Sequence, residues 1–97
     1  MVLPYLLKKM NPEELDMAFQ EAVDKVNNHL EPFPADLLLR LYAYYKKANN
    51  NEDDPNSKKP LINAFKANAL FQVRGMTEPE AKQAYIDAVN TYFLYRK

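Results

Sequence analysis

The chain has 97 residues, enough for one folded domain but not for two, because short chains bury a limited share of their surface. Hydrophobic residues make up 47% and charged residues 27%, which is typical of a folded domain and not of a disordered chain. Thirteen basic and thirteen acidic side chains cancel, so no excess positive charge favours nucleic acid as a partner, and the absence of cysteine excludes disulfides, catalytic thiols and thiolate metal sites.

The first ten residues are apolar, but Pro4 interrupts them and they fall far short of the roughly 18 residues that a membrane span requires. They also lack the basic leader and the small-residue cleavage site of a secretory signal. We therefore expect no transmembrane helix and a cytoplasmic protein, in keeping with the lack of cysteine. A single domain is expected over residues 1–97, with residues 1–10 as an N-terminal extension.

The first helix is predicted to begin near Asn11, whose side chain can cap free amides, with Pro12 in the first turn and Glu14 three positions after the cap. Its end is predicted at about His29 or Leu30. Apolar residues recur within it at steps of three and four and define one face to be buried: Leu15, Ala18, Phe19, Ala22, Val23 and Val26.

Prolines at 32 and 34 predict a turn before the second helix, which is expected over residues 35–49. This helix is apolar around most of its circumference, so we expect it to pack on two sides or on a ligand. Residues 49–60 are polar and rich in turn formers, and they are predicted to form a long exposed loop of the kind that is often functional.

The third helix is predicted over residues 61–74, with Ile62, Phe65, Ala69 and Val73 on one side. Gly75, the only glycine, is expected to end it in the left-handed conformation. Thr77 and Glu80 form a predicted capping box, after which a fourth helix continues close to the C-terminus with an apolar face of Ala81, Ala84, Tyr85, Ala88, Val89, Tyr92 and Phe93. Four amphipathic segments without a strand candidate predict an all-α helical bundle.

The sequence offers little for catalysis. His29 is the only histidine, and no serine lies in a recognisable nucleophile motif, so a hydrolytic triad cannot be built. We interpret His29 as a favourable partner of a helix C-terminus. The acidic groups at residues 13–16 and 52–54 lack the spacing of a calcium loop and are expected to be solvated. We therefore predict no enzyme activity, no metal site and no cofactor.

Tyr42, Tyr45 and Lys46 stand at steps of three and four, which places two phenols and an ammonium on one helical face. An aromatic ring can stack on a purine, and a hydroxyl and an ammonium can bind a phosphate. Lys66 and Tyr85, on the next two helices, could reach the same ligand. Tyrosines at helical spacing are more often core or interface residues, so this pattern alone leaves the function open.

A family resemblance distinguishes these alternatives. The segment LYAYYKKA at residues 41–48 resembles the second-helix motif of the acyl-CoA-binding protein family, and Lys66 stands at the position of the family's third-helix lysine. Residues 74–77 resemble the family's turn before the last helix, and Ala84, Tyr85 and Ile86 resemble its Ala-Tyr-Ile. The similarity spans about residues 15–92 in one register.

The resemblance implies a four-helix bundle of up-down-down-up type that holds long-chain acyl-CoA esters without catalysis. We expect the protein to be a monomer. By this similarity Tyr42, Lys46 and Lys66 would hold the ribose 3′-phosphate of coenzyme A. Tyr45 and Tyr85 would line the path of adenine and pantetheine, and the acyl chain would lie in an apolar groove between helices.

Some positions depart from the family pattern. Ala67 and Leu70 replace two tryptophans of the third helix, and Asn27 replaces a basic residue late in the first helix. These losses, with the tyrosine-rich C-terminal segment, motivate an alternative function: a helical protein-interaction module in which ligand binding is weakened or lost.

Overall fold

The computed structural model describes residues 10–50 and 59–95. They form four helices and no strand: α1 (Pro12–Asn28), α2 (Ala35–Ala48), α3 (Pro60–Gln72) and α4 (Glu78–Tyr95). The predicted all-α architecture is confirmed. The predicted N-terminal extension, apart from Met10, and most of the predicted exposed loop lie outside the described residues. No helix in these two stretches combines the length and the apolar composition needed to cross a bilayer.

Two of the helices begin with the predicted capping boxes. At α1 the Asn11 side chain accepts a hydrogen bond from the Glu14 amide at 2.9 Å, and the Asn11 amide donates to the Glu14 carboxylate at 3.1 Å. At α4 the Thr77 amide donates to the Glu80 carboxylate at 2.8 Å, and the Glu80 amide donates to the Thr77 hydroxyl at 3.2 Å. Each box satisfies two amides that a helix start leaves without partners.

The prediction for Gly75 was wrong. α3 ends at Gln72, and Gly75 does not adopt a positive φ. The helix closes with tighter turns instead, in which the Val73 amide donates to the Leu70 carbonyl at 3.2 Å and the Arg74 amide to the Phe71 carbonyl at 3.3 Å. Asn50, just after α2, has φ 51°, because asparagine tolerates the left-handed conformation that often follows a helix.

The contacts between α1 and α4 show that these two helices run in the same direction. Near their N-termini, Lys82 of α4 donates to the Asp16 carboxylate of α1 at 2.6 Å. Near their C-terminal ends, His29, which follows α1, lies with Nε2 3.2 Å from the Tyr92 hydroxyl of α4. The N-terminal part of α1 thus contacts the N-terminal part of α4, and the C-terminal ends of the two helices also meet.

The other two helices run the opposite way. The turn at residues 29–34 joins the end of α1 to the start of α2, and Tyr45, late in α2, is stacked on Phe19 in the first half of α1 with centroids 6.0 Å apart, so α2 is antiparallel to α1 and to α4. Lys66 of α3 approaches Tyr42 of α2, and the Lys47 ammonium donates to the Arg74 carbonyl beyond the end of α3 at 3.2 Å. α3 is therefore parallel to α2. The bundle has the up-down-down-up arrangement that the resemblance implied.

The core lies where α4 packs on α1 and α2. Its α1 and α4 members come from the predicted apolar faces except for Ile86, and Ala81 and Val89 of α4 are fully enclosed. α2 packs on two sides as expected, against α3 and α4. Within the described residues α3 contacts only α2 and has no buried residue, and of its predicted apolar side only Val73, just beyond the helix end, is buried. Ile62 and Phe65 remain partly exposed.

The His29 side chain packs within a cluster of aromatic rings. Its ring packs against Phe33 and Phe93, with ring centroids 4.8 and 5.1 Å away, and against Tyr92. Its backbone amide donates to the Val26 carbonyl at the end of α1. The side chain therefore fastens the C-terminal end of α1 to α4 through an aromatic cluster, an arrangement that the predicted helix-dipole role did not anticipate.

Candidate ligand-binding site

A cavity of about 400 Å³ opens between α1 and α2. It exists because the backbones of both helices pack closely on α4 but not on each other, so that only side chains meet across the wedge above α4. Three helices contribute to its wall: Val23, Val26, Asn27, Leu38, Leu41, Tyr42, Tyr45 and Tyr85.

Phe19 of α1 supports two aromatic side chains of this wall. Its ring is stacked on Tyr45 with centroids 6.0 Å apart, and it meets Tyr85 edge to face at 5.1 Å. Such pairs fix ring orientation and add stabilisation beyond the area they bury. Tyr85 is 4% exposed, whereas Tyr45 is 45% exposed and presents its ring to solvent at the mouth of the cavity. The site therefore has a fixed phenol inside and an accessible one at its edge.

Both phenols with a shifted pKa belong to this cavity. Burial, and secondarily the proximity of Tyr45, raises the pKa of Tyr85 to about 12. Burial also raises the pKa of Tyr42 above its ordinary value of 10.0. Desolvation disfavours the phenolate, so both hydroxyls keep their protons at physiological pH. They can donate hydrogen bonds to an anionic ligand.

Two ammonium groups from different helices converge on the Tyr42 ring. Lys46, one turn later on α2, places Nζ 5.8 Å from the ring centroid, and Lys66 of α3 places Nζ 5.1 Å from it. The negative face of a phenol ring attracts a cation at such distances. Among residues 10–50 and 59–95 neither lysine is paired with a carboxylate, and the one ion pair joins Lys82 and Asp16. This edge of the cavity therefore attracts an anion.

The structure brings all the predicted site residues together. Tyr42, Tyr45 and Tyr85 line the cavity, and Lys46 and Lys66 reach its edge at Tyr42. Sequence reasoning did not assign the apolar wall to the site. For Leu38 a signal was available, since it stands four residues before Tyr42 on the same helical face.

The positions that depart from the family pattern fall in two places. Asn27 lines the cavity, so its amide takes part in the wall in place of a cation. Ala67 and Leu70 stand on α3 and do not line it. The missing tryptophans therefore leave the aromatic wall between α1, α2 and α4 intact.

A second hollow, of about 810 Å³, lies on a different face of the same C-terminal half of α1 and is lined by Glu21, Asp24, Lys25, Asn28, His29 and Phe93. It is larger, but none of the predicted site residues touches it. Its two carboxylates oppose one ammonium, so it repels anions that the Tyr42 edge attracts. The charge and the aromatic rings favour the smaller cavity as the ligand site.

The residues around the smaller cavity define a class of ligand. Two cations and neutral phenols suit a phosphate, aromatic rings suit a planar base, and aliphatic side chains suit an apolar tail. The lining residues include no serine, threonine, cysteine or histidine that could act as a nucleophile or as its base. No group of three potential metal ligands forms in the described parts of the chain. The fold and the cavity define a small helical domain that binds an anionic, partly apolar ligand.

Comparison with known proteins places this domain in a family. A sequence profile described as acyl CoA binding protein matches residues 16–89. An acyl-CoA-binding protein homolog of Manduca sexta is 32% identical over 81 residues, covering 79% of this chain and 89% of the homolog. No solved structure matches significantly. The chain belongs to the acyl-CoA-binding protein family, and the resemblance seen in its sequence is confirmed.

Proposed function

We propose that this protein is a monomeric cytoplasmic carrier that binds long-chain fatty acyl-CoA esters and releases them unchanged, with the coenzyme A part at the cavity between α1 and α2 and the acyl chain between α2 and α3. The observation that carries the proposal is the convergence of Lys46 and Lys66, from two helices, on the Tyr42 ring beside this cavity. A phosphate placed there meets two cations and a neutral hydroxyl. The carboxylate of a free fatty acid carries one charge and two oxygens, so it gains less from these groups than a phosphate monoester with nearly two charges and three terminal oxygens.

The 3′-phosphate of the ribose is the group we assign to this edge. Its oxygens accept hydrogen bonds from the ammonium groups of Lys46 and Lys66 and from the Tyr42 hydroxyl. Hydrogen bonds to charged groups contribute about 1.5 to 3 kcal/mol each, so the pair of lysines is sufficient to select coenzyme A esters over uncharged lipids. Bringing two ammonium groups together without an anion has an electrostatic cost, which a bound phosphate removes.

The adenine and the pantetheine follow the aromatic wall. Tyr45 offers an exposed ring face at the mouth, and Phe19 beneath it holds the orientation of that ring. Tyr85 lies deeper, 6.3 Å from Tyr45 between centroids, with its hydroxyl protonated. A planar base stacks on the outer ring while the inner phenol donates to a polar atom of the ligand.

The acyl chain lies between α2 and α3. Leu38 stands one turn before Tyr42, Ile62 stands one turn before Lys66, and the two helices are parallel, so both aliphatic side chains lie at the same level next to the phosphate edge. Both are partly exposed in the absence of ligand. Each methylene buried there contributes about 0.8 kcal/mol, which favours esters of long chains over short ones.

Titration calorimetry of the whole protein with palmitoyl-CoA, coenzyme A and palmitate tests this function. We expect tight binding of palmitoyl-CoA, weaker binding of coenzyme A and no saturable binding of palmitate. Palmitate binding as tightly as palmitoyl-CoA, or the absence of palmitoyl-CoA binding at micromolar protein, would contradict the assignment of the cavity.

Two further measurements test the rest of the proposal. Light scattering with and without palmitoyl-CoA should give the mass of one chain in both cases. Chromatography of palmitoyl-CoA after long incubation with the protein should show no free coenzyme A beyond a protein-free control. Ligand-dependent hydrolysis would reveal an enzyme instead of a carrier.

A further inference from the structure

The charges of the described residues are divided between the two halves of the bundle. The stretches 10–34 and 78–95, which hold α1 and α4, carry nine acidic side chains and two basic ones, Lys25 and Lys82. The stretches 35–50 and 59–77, which hold α2 and α3, carry one acidic side chain, Asp36, against six basic ones: Arg40, Lys46, Lys47, Lys59, Lys66 and Arg74. Among the described residues, those of the α2 and α3 stretches are therefore mostly cationic and those of the α1 and α4 stretches mostly acidic.

The outward side of α3, on this cationic half, is apolar. Ile62, Lys66, Ala69 and Val73 form the side that faces α2, of which Val73 is buried. The opposite side, at helical steps of three and four, consists of Leu61, Ala64, Phe65, Asn68 and Phe71. Leu61 is 65% exposed and Phe71 is 59% exposed. No charged residue stands on this outward side.

Cations border the outward side of α3 at both ends. Lys59 precedes the helix, and Arg74 follows it with its guanidinium 4.1 Å from the centroid of the Phe71 ring. An arginine stacked on an exposed aromatic ring keeps its charge at the surface beside an apolar group. Exposed apolar side chains beside lysine and arginine can enter the interface of an anionic membrane while the cations meet its phosphates.

We infer that the outward side of α3 docks this protein on anionic phospholipid bilayers, with Leu61, Phe65 and Phe71 entering the interface and the surrounding cations meeting the lipid phosphates. The inference does not depend on the proposed ligand. A second copy of the chain fits the same surface less well, because a two-fold dimer through α3 brings the two cationic rims together. A bilayer supplies both the apolar layer and the opposite charge.

Vesicle flotation of the whole protein, without acyl-CoA, tests this inference. We expect binding to vesicles of phosphatidylserine and phosphatidylcholine, little binding to phosphatidylcholine alone, and loss of binding as salt is raised, because screening weakens the attraction between the cations and the lipid phosphates. Leu61→Ser/Phe71→Ser should lower partitioning into anionic vesicles roughly tenfold or more. Its circular dichroism and its affinity for palmitoyl-CoA in vesicle-free solution should stay at the wild-type values.

A matched control is available on the acidic half. Met17 and Leu30 are 67% and 97% exposed, so Met17→Ser/Leu30→Ser removes the same number of exposed apolar side chains far from α3. This variant should partition like the wild type. Equal loss in both variants, equal binding to neutral vesicles, or no vesicle binding would overturn the inference. So would light scattering that showed a wild-type dimer abolished by Leu61→Ser/Phe71→Ser, since the surface would then be a protein interface.

Discussion

The Lys66 ammonium lies 5.1 Å from the centroid of the Tyr42 ring, although the two residues belong to different helices. With Lys46 at 5.8 Å on the same helix as Tyr42, the phenol ring has two cations near it. Each lysine gains a cation–π contact, but the two charges repel each other. An anion that contacts both ammonium groups at once therefore binds favourably at this position.

Removing either ammonium should weaken binding through the 3′-phosphate specifically. Lys46→Ala and Lys66→Ala should each lower the affinity for palmitoyl-CoA about 10- to 100-fold, as expected for a lost hydrogen bond between charged groups. Calorimetry with palmitoyl-3′-dephospho-CoA should show almost no effect of either substitution. Lys25→Ala, in the acidic hollow, is the control and should leave both affinities unchanged. A penalty that persists with the dephospho ester would mean that the lysines contact another part of the ligand.

The raised pKa of Tyr85 predicts how stability changes at alkaline pH. Below pH 10 this phenol is protonated in both the folded and the unfolded chain. As the pH rises from 10 to about 12, the unfolded phenol ionises while the buried one does not, so the free energy of unfolding falls. At pH 11 this loss is on the order of 1 kcal/mol. Urea unfolding at pH 8 and pH 11 should show a smaller decrease for Tyr85→Phe than for the wild type. Tyr95→Phe, at an exposed ring, should retain the wild-type decrease.

Phe19 links the aromatic wall to the core, so its shape should affect both stability and binding. Phe19→Leu keeps an apolar side chain but loses the ring contacts with Tyr45 and Tyr85, at a cost of about 1 to 3 kcal/mol. We expect weaker palmitoyl-CoA binding as well, because the orientation of Tyr45 is no longer fixed. Phe93→Leu, in the His29 cluster, should lower the melting temperature to a similar extent without changing the affinity. Equal affinity losses in the two variants would show that the effect is general destabilisation.

Alanine substitutions at Gly75 and at Asn50 should change the free energy of unfolding in opposite directions. Gly75 has no positive φ, and a Cβ atom added there meets nothing within 4 Å. Gly75→Ala should therefore raise the free energy of unfolding by about 0.4 to 1 kcal/mol, because alanine lowers the conformational entropy of the unfolded chain. Asn50 has φ 51°, so Asn50→Ala should lower it by about 1 kcal/mol. Urea unfolding measures both. A destabilised Gly75→Ala would indicate that this turn requires glycine after all.

The sequence predicted the structure best where a few neighbouring residues alone determine it. The capping boxes at Asn11 and Thr77 depend on a few neighbouring residues, and both helix starts were predicted correctly. The convergence of Tyr42 and Lys66 could not be derived from spacing, since it depends on how α3 lies against α2. The family resemblance supplied that relationship.

The misplaced predictions have identifiable physical causes. Gly75 is a favourable helix terminator, but tight turns at Val73 and Arg74 had already closed α3. The sequence made no prediction for Leu38, an apolar residue that is partly exposed and lines the cavity because the backbones of α1 and α2 separate above α4. Such gaps arise from the packing of three helices, which no single helical pattern encodes.

Among the described helices α3 contacts only α2, which separates one binding group, Lys66, from the core around α4. Lys66 is carried by a helix without a buried residue, whereas Tyr85 belongs to the innermost helix. Amides of α3 should therefore exchange with deuterium faster than those of α4, and saturating palmitoyl-CoA should slow them. The bound ligand would then hold α3 against the other three helices. Dissociation of the ligand would begin with a local opening of α3, while the other three helices stay folded.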